Sequence, residues 1–210
     1  MGNISRAILL LLSASACLPA WAGENANPVY EITPFAGLRA GGDFELDSPS
    51  RKVDVDDSAS VALALNYRID EVSQYEIFYS RQATSVEPDP LLGTVDVDIE
   101  YLQLGGTVAM SDAHRFIPYL VGGLGATRFN ADSAEADDET RFSISLGGGV
   151  RVPFSERFSV RVEGRGYLTL VDTDTAFFCR SDEGEALCRI RGSGSTFLQF
   201  ELLAGAAFAF

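Results

Sequence analysis

The sequence contains one histidine, His114, in the stretch "MSDAHRF". Histidine is the usual general base and metal ligand near neutral pH, so catalysis is sought there first. His114 stands in a short polar turn and reads as a solvated turn residue, so no catalytic residue is assigned. No GxxxxGK[ST] phosphate loop occurs. The stretch "GLGATR" lacks the third glycine and following helix of a dinucleotide fingerprint. No cofactor is expected.

Carboxylates are the second chemical resource. "VDVDD" (Val53–Asp57), "VDVDIE" (Val95–Glu100), "ADDE" (Ala136–Glu139) and "VDTD" (Val171–Asp174) concentrate hard oxygen ligands suited to Ca²⁺ or Mg²⁺. Asp54, Asp56, Asp57, Asp137, Asp138, Glu139, Asp172 and Asp174 are candidate cation ligands in loops. The competing reading is a solvated, mutually repelling acidic surface.

Arginine and glutamate form the third set. Glu31, Arg39, Arg68, Glu76, Arg151, Arg161, Glu163, Arg165 and Glu201 share the non-apolar faces of their segments with Ser, Thr, Gln and Gly. Guanidinium and carboxylate pair through a two-pronged geometry that suits partly dry sites. Lysine, the usual residue of water-facing strands, occurs once, as Lys52. The ionic faces therefore read as a network inside a narrow lumen. A gated path for ions or small solutes is the alternative; an interior just filled by side chains favours the structural role.

The elements that must position these groups are strands. Val61, Leu63, Leu65, Tyr67 and Ile69 alternate with Ser60, Ala62, Ala64, Asn66 and Arg68. Phe142, Ile144 and Leu146, and Phe158, Val160 and Val162, alternate with polar residues in the same way. This is the two-residue period of a pleated strand. Eight such segments lie near Val29–Gly42, Ser58–Ile69, Ser73–Thr84, Thr94–Met110, Arg115–Asn130, Thr140–Pro153, Arg157–Val171 and Thr196–Phe210. In "DVDIEYLQLGGTV" the phase changes near Glu100–Tyr101, which suggests a bulge or a tilt out of the apolar zone. In "FIPYLVGGLGATRF" the sequence does not say which face points where.

Connections alternate strictly. Asp70–Val72, Ser111–His114 and Phe154–Glu156 are short; Asp43–Asp57, Ser85–Gly93, Ala131–Glu139 and Asp172–Ser195 are long and polar. Together with an even strand count, this predicts an all-β fold: an eight-stranded antiparallel up-and-down transmembrane β-barrel. A sheet in lipid must close, because every backbone group needs an internal partner. Tyr30, Tyr67, Tyr75, Phe116, Phe142, Phe158, Phe208 and Phe210 lie near strand ends and are expected to form two aromatic girdles. A soluble barrel of lipocalin type is the rival fold.

The first 22 residues read as a signal peptide. Arg6 is the positive region, Ala7–Leu12 the apolar run, and Ala20-Trp21-Ala22 the cleavage pattern. Cleavage is expected after Ala22, leaving residues 23–210 as the barrel domain. A lipoprotein signal at Cys17 is the alternative. Cleavage leaves 15 basic against 30 acidic residues, a net charge of −15, which excludes a phosphate-rich nucleic acid as partner. It also leaves two cysteines, Cys179 and Cys188, in "FFCRSDEGEALCRIRG". An exported protein meets oxidising conditions, so a disulfide between them is expected.

The closing stretch "FELLAGAAFAF" resembles the last strand of bacterial outer-membrane proteins. "YEITPFAGLRAGG", "YLQLGG" and "VRVEGRGYLTL" are similar to segments of small eight-stranded barrels of the OmpA, OmpX and OmpW kind. The resemblance spans the mature chain. It implies an integral protein of a Gram-negative outer membrane, with both termini in the periplasm and loops outside. It implies that Phe208 and Phe210 are the signal read by the barrel-assembly machinery, and that outer-membrane lipids and lipopolysaccharide are partners. The acidic loop residues would then bridge to lipopolysaccharide phosphates through divalent cations.

The resemblance gives a monomer with a structural or surface-interaction role, not an enzyme. A narrow channel for small hydrophobic molecules or ions is the second reading. A lipid-modifying enzyme is disfavoured, because such barrels carry their histidine at the outer side and His114 is predicted at the other end.

Overall fold

The computed structural model describes residues 29–46, 51–86, 95–110, 115–131, 139–171, 176–182, 185–191 and 196–210. The expected leader, its cleavage point at Ala22, and His114, Asp137, Asp138, Asp172 and Asp174 lie outside the described residues.

Twelve strands follow one another: β1 (Tyr30–Ala40), β2 (Asp43–Leu46), β3 (Arg51–Asp54), β4 (Ser58–Arg68), β5 (Ser73–Val86), β6 (Val95–Ala109), β7 (Ile117–Ala131), β8 (Glu139–Pro153), β9 (Phe158–Leu170), β10 (Ala176–Asp182), β11 (Glu185–Arg191) and β12 (Thr196–Ala209). Eight of them close a barrel in the order β1-β12-β9-β8-β7-β6-β5-β4. Each pairs antiparallel with its neighbours, and β1 seals the cylinder by pairing with both β12 and β4. The sequence reading of eight antiparallel strands holds.

Two hairpins, β2–β3 and β10–β11, extend from the same end of the barrel. The sequence reading takes both as loop. The correction has a physical cause: "DFEL" alternates over only four residues, and "RKVD" places two charges on successive residues, so neither stretch carries a period long enough to stand out from loop. This end is called the long-loop end below. The opposite end carries the tight turns at 69–72 and 154–157 and is called the short-turn end.

The distribution of apolar residues is inverted relative to a protein in water. Leu38, Leu104, Leu146 and Leu202 point outward and are 66%, 62%, 72% and 62% exposed, whereas Arg39, Arg161 and Glu163 are 0% exposed. Leaving a leucine in water forgoes roughly 2 kcal/mol of transfer energy. A solvent of acyl chains removes that penalty and, lacking hydrogen-bonding capacity, drives the ions to the axis.

Of the two explanations for the phase change, strand β6 excludes the bulge. Its pairing with β5 runs without a skipped residue from Ser73↔Val108 to Val86↔Val95, so no bulge interrupts it. Val97, Ile99, Tyr101 and Gln103 all face inward and are buried; Leu102 and Leu104 face out. The chemistry of the faces exchanges along an unbroken strand. Asp98 and Glu100 are outward where the strand leaves the apolar belt, and the residues between them turn apolar inside. The undecided face of β7 resolves with Tyr119, Val121, Thr127 and Phe129 buried in the lumen.

The expected aromatic residues are unequally divided between the two ends. Tyr30, Tyr67, Tyr75, Phe116, Phe158, Phe208 and Phe210 are exposed at the short-turn end, and only Phe142 of the expected set lies toward the other. At the long-loop end of β5 and β6 the outward positions carry ions instead. Arg81 pairs with Asp98 at 2.6 Å, and Tyr79 donates to Glu100 at 3.1 Å.

Candidate functional site

The candidate site is the lumen, and period-two geometry decides its contents. Every second residue of eight strands enters a space that eight strands leave just wide enough to fill. Polar and apolar layers alternate along it.

At the long-loop end the lumen is covered by Val55, Val97, Ile99, Phe129, Val171 and Phe197, all buried. Phe129 and Phe197 meet edge to face at 5.4 Å. Val55 belongs to no barrel strand. Its N–H donates to the Gly42 carbonyl at 2.9 Å, and the next residue, Asp56, donates to Ser85 O at 3.2 Å and accepts from Thr84 Oγ1 at 2.6 Å. The first loop is thereby tied across the opening between β1 and β5. Gly42 allows this: its φ is +102°, and a Cβ there would lie 2.4 Å from the Phe197 ring.

Below the apolar cover lies an ionic layer around one pair. Arg39 Nη2 donates to Glu201 Oε1 at 3.0 Å and also bonds Ser80 Oγ. Ser80 Oγ donates to the same Glu201 oxygen at 2.8 Å, and Tyr167 Oη donates to the other. The rings of Tyr101 and Tyr167 stack at 4.1 Å, with the Arg39 guanidinium 4.7 Å from the Tyr101 ring. Tyr101 Oη donates to Gln199 Oε1 at 2.9 Å, and Gln82 Nε2 donates to Arg39 O at 3.2 Å. Phe35, Phe78, Ala62, Ala64 and Leu203 then form an apolar partition.

A second, larger ionic layer fills the short-turn half. Glu163 accepts from Arg165 at one oxygen, at 2.6 and 2.8 Å, and from Tyr119 and Arg161 at the other, at 2.7 and 3.0 Å. Glu76 accepts from Arg165 at 2.7 Å on one oxygen, and from Asn66 at 3.0 Å and Arg161 at 3.2 Å on the other. Glu31 accepts from Arg151 at 2.9 Å and Arg161 at 3.4 Å. The Arg165 guanidinium lies 3.7 Å from the Phe78 ring, against the partition. Gly149 makes room for this layer, since a Cβ there would come within 2.6 Å of Tyr119 Oη.

Burial gives such charges little net stabilisation, because desolvation offsets most of the attraction. What they impose is specificity: each carboxylate has one satisfactory arrangement. Both oxygens of Glu76 and of Glu163 are committed to donors, which leaves neither free to take a proton from a substrate.

Seven of the nine expected interior charges, Glu31, Arg39, Glu76, Arg161, Glu163, Arg165 and Glu201, are buried in these two layers. Arg151 joins the larger layer with its side chain 18% exposed. Arg68 stands apart at the mouth. The neutral partners Asn66, Ser80, Tyr101, Tyr119, Tyr167 and Gln199 are not picked out as members of the network in the sequence reading, which places Asn66 only on the polar face of its strand. Their signal is their place on the ionic face, one pleat from an arginine or glutamate.

Of the candidate cation ligands, Asp56 and Asp57 are exposed in the first loop, where Asp57 Oδ1 accepts from Gly41 N at 3.3 Å. Glu139 pairs with Arg141. Asp54 closes β3 opposite Asp43. Among the described residues no cluster of three metal-ligating side chains occurs. Cys179 and Cys188 occupy directly opposed backbone positions of β10 and β11.

The outer membrane protein beta-barrel domain model matches residues 8–178. No curated protein matches the chain in sequence. Among solved structures, the chain is similar to Neisserial surface protein A at 14% identity and a TM-score of 0.60, over 86% of this chain and 97% of that one. It is also similar to the outer membrane protein AlkL in lipid bilayers, at 16% identity and a TM-score of 0.54, over 93% and 96%. Likeness at this identity is a likeness of fold.

Proposed function

This chain belongs to the outer membrane protein beta-barrel domain family, and on that footing we propose that it is a closed barrel of the Gram-negative outer membrane with a structural or surface-interaction role. In this reading the short turns and both termini face the periplasm, and the long loops face outward. The observation that carries it is the sequence of layers in the lumen: an apolar cover, the Arg39–Glu201 layer, an apolar partition and the Arg161–Glu163 layer. A hydrated ion crossing it would have to displace buried, hydrogen-bonded ion pairs and then pass a dry partition. The lumen serves as a brace, and work on ligands falls to the loops. The β10–β11 hairpin, on the longest connection, is the principal contact element. Acidic loop residues meet lipopolysaccharide through divalent cations, and Phe208 and Phe210 engage the assembly machinery.

Conductance in planar bilayers tests this. The folded protein is expected to be electrically silent. Discrete openings blocked by a hydrophobic solute would replace this reading with a narrow channel. An altered lipid A profile on overexpression would instead indicate an enzyme.

A further inference from the structure

We propose that the short-turn mouth of the lumen binds a small oxyanion free in solution, with inorganic phosphate as the simplest ligand, held by Arg68, Arg151 and Gln74. The starting observation is a charge imbalance. Among the described residues, the short-turn half of the lumen holds three carboxylates, Glu31, Glu76 and Glu163, against four guanidiniums, Arg68, Arg151, Arg161 and Arg165. Arg161 and Arg165 sit among the three carboxylates at 2.6–3.4 Å, and Arg151 shares Glu31 with Arg161. The fourth cation, Arg68, is left over.

Arg68 ends β4 at the mouth, half-buried, opposite Gln74 on β5. Its guanidinium makes no hydrogen bond or ion pair with any described residue. It shares one neighbour, Gln74, with Arg151. Arg151 has unused capacity as well: its Nε is buried without a hydrogen-bond partner. Gln74 joins the two, since it pairs with Arg68 in register and its Oε1 accepts from Arg151 at 3.3 Å and Thr107 at 3.5 Å. Among the described residues, the inward positions beside these at the mouth are Ala109, Ile117, Ser159 and Ala209, and the one carboxylate in register with them, Glu31, is taken by Arg151 and Arg161. The nearest acid in sequence, Asp70, is committed to the backbone N–H groups of its own turn.

One guanidinium without a counter-ion and the idle Nε edge of a second, beside an amide, suit an anion with several acceptor oxygens. A bound oxyanion would neutralise Arg68 and satisfy the idle Arg151 Nε. The site faces the lumen, while lipid headgroups lie outside the wall, so the ligand is a soluble anion. The proposal goes beyond the closed-barrel reading and does not depend on it; a conducting barrel could still bind phosphate here.

The experiment is a titration of the folded chain in non-ionic detergent with inorganic phosphate, followed by ³¹P resonance broadening and by calorimetry, at constant ionic strength held with chloride. Saturable binding is expected. Arg68→Gln should weaken it by about tenfold or more, the loss of one charge-assisted contact. Arg68→Lys should keep part of the affinity, and Arg81→Gln, outward at the other end, should leave it unchanged. Arg68 makes no hydrogen bond or ion pair with a described side chain, so its variants are expected to retain the barrel, and faster gel mobility before heating checks this. No saturable binding by the wild-type chain, or equal binding by Arg68→Gln, overturns the proposal. So does binding of phosphatidylglycerol micelles without binding of free phosphate.

Discussion

Arg39 and Glu201 are register partners across the seam where the first and last barrel strands meet, with their charges 3.0 Å apart and both side chains fully buried. The seam is the last pairing available to the chain, since β1 and β12 lie at opposite ends of the sequence. Arg39 satisfies Ile99 O and Ser80 Oγ besides Glu201, and Glu201 takes Tyr167 at its second oxygen. The pair ties five strands, β1, β5, β6, β9 and β12, together at one height. Arg39→Leu should leave Glu201 buried and uncompensated, costing about 3–5 kcal/mol, whereas replacing both residues by apolar ones of similar size should recover most of that loss. Reversible unfolding in lipid vesicles measures both variants. An Arg39→Leu barrel as stable as wild type would show that the pair contributes nothing to the seam.

The ionic layers were partly legible in the sequence, for a definable reason. Arg161, Glu163 and Arg165 alternate with Val160, Val162 and Gly164 on β9, so their face was fixed by their apolar neighbours. Their pairing with Glu76, Asn66 and Tyr119 was not legible, because those partners lie on β5, β4 and β7. Register across several strands depends on how the barrel closes, and no local pattern carries it. Strand β6 illustrates the other limit. Its faces exchange chemistry at Glu100–Tyr101 because the strand runs from the belt into a polar zone, and a period-two rule alone reads that exchange as a slip.

The outward stripe provides a direct test of the surrounding solvent. Leu146 is the eighth of fifteen residues of β8 and is 72% exposed. In a water-facing protein Leu146→Arg would be nearly neutral. At the midplane of a bilayer it should cost about 2–4 kcal/mol, falling toward zero for the same change near a strand end. Unfolding free energies in vesicles, compared between Leu146→Arg and Phe142→Arg, read the depth dependence. Equal and negligible costs at both positions would place the barrel wall in water.

Cys179 and Cys188 stand opposite one another on β10 and β11, with the pairing Arg180↔Leu187 on the inner side. Directly opposed residues of an antiparallel pair bring their Cβ atoms about 4.5–5.5 Å apart, near the range that a disulfide requires. We expect a disulfide in the exported protein. Alkylation of the unreduced, denatured chain should therefore add no label, and reduction should expose two thiols. The bridge closes a short ring in a hairpin that is not part of the barrel sheet. Its loss should speed proteolysis of the hairpin and leave the barrel's unfolding midpoint unchanged. Labelling of both thiols without reductant would contradict the bridge.

Asp70 governs the tight turn between β4 and β5. Its Oδ1 accepts from Val72 N at 2.9 Å and Ser73 N at 2.7 Å, while the turn's own backbone bonds run from Ile69 N and Asp70 N to Ser73 O. These N–H groups, that of Val72 first and that of Ser73 next, hold the carboxyl below its ordinary value of 3.8. A pKa lowered by folding means that the ionised form favours the folded state. The contribution is fully present above the ordinary value and is lost as pH falls through the folded one. Asp70→Ala should therefore be less stable than wild type at neutral pH, and the gap should close in the acid range below 3.8. Denaturation midpoints of the two proteins in non-ionic detergent, compared from neutral pH downward, read the gap. A difference that stayed constant into strong acid would mean that Asp70 acts through its shape and not its charge.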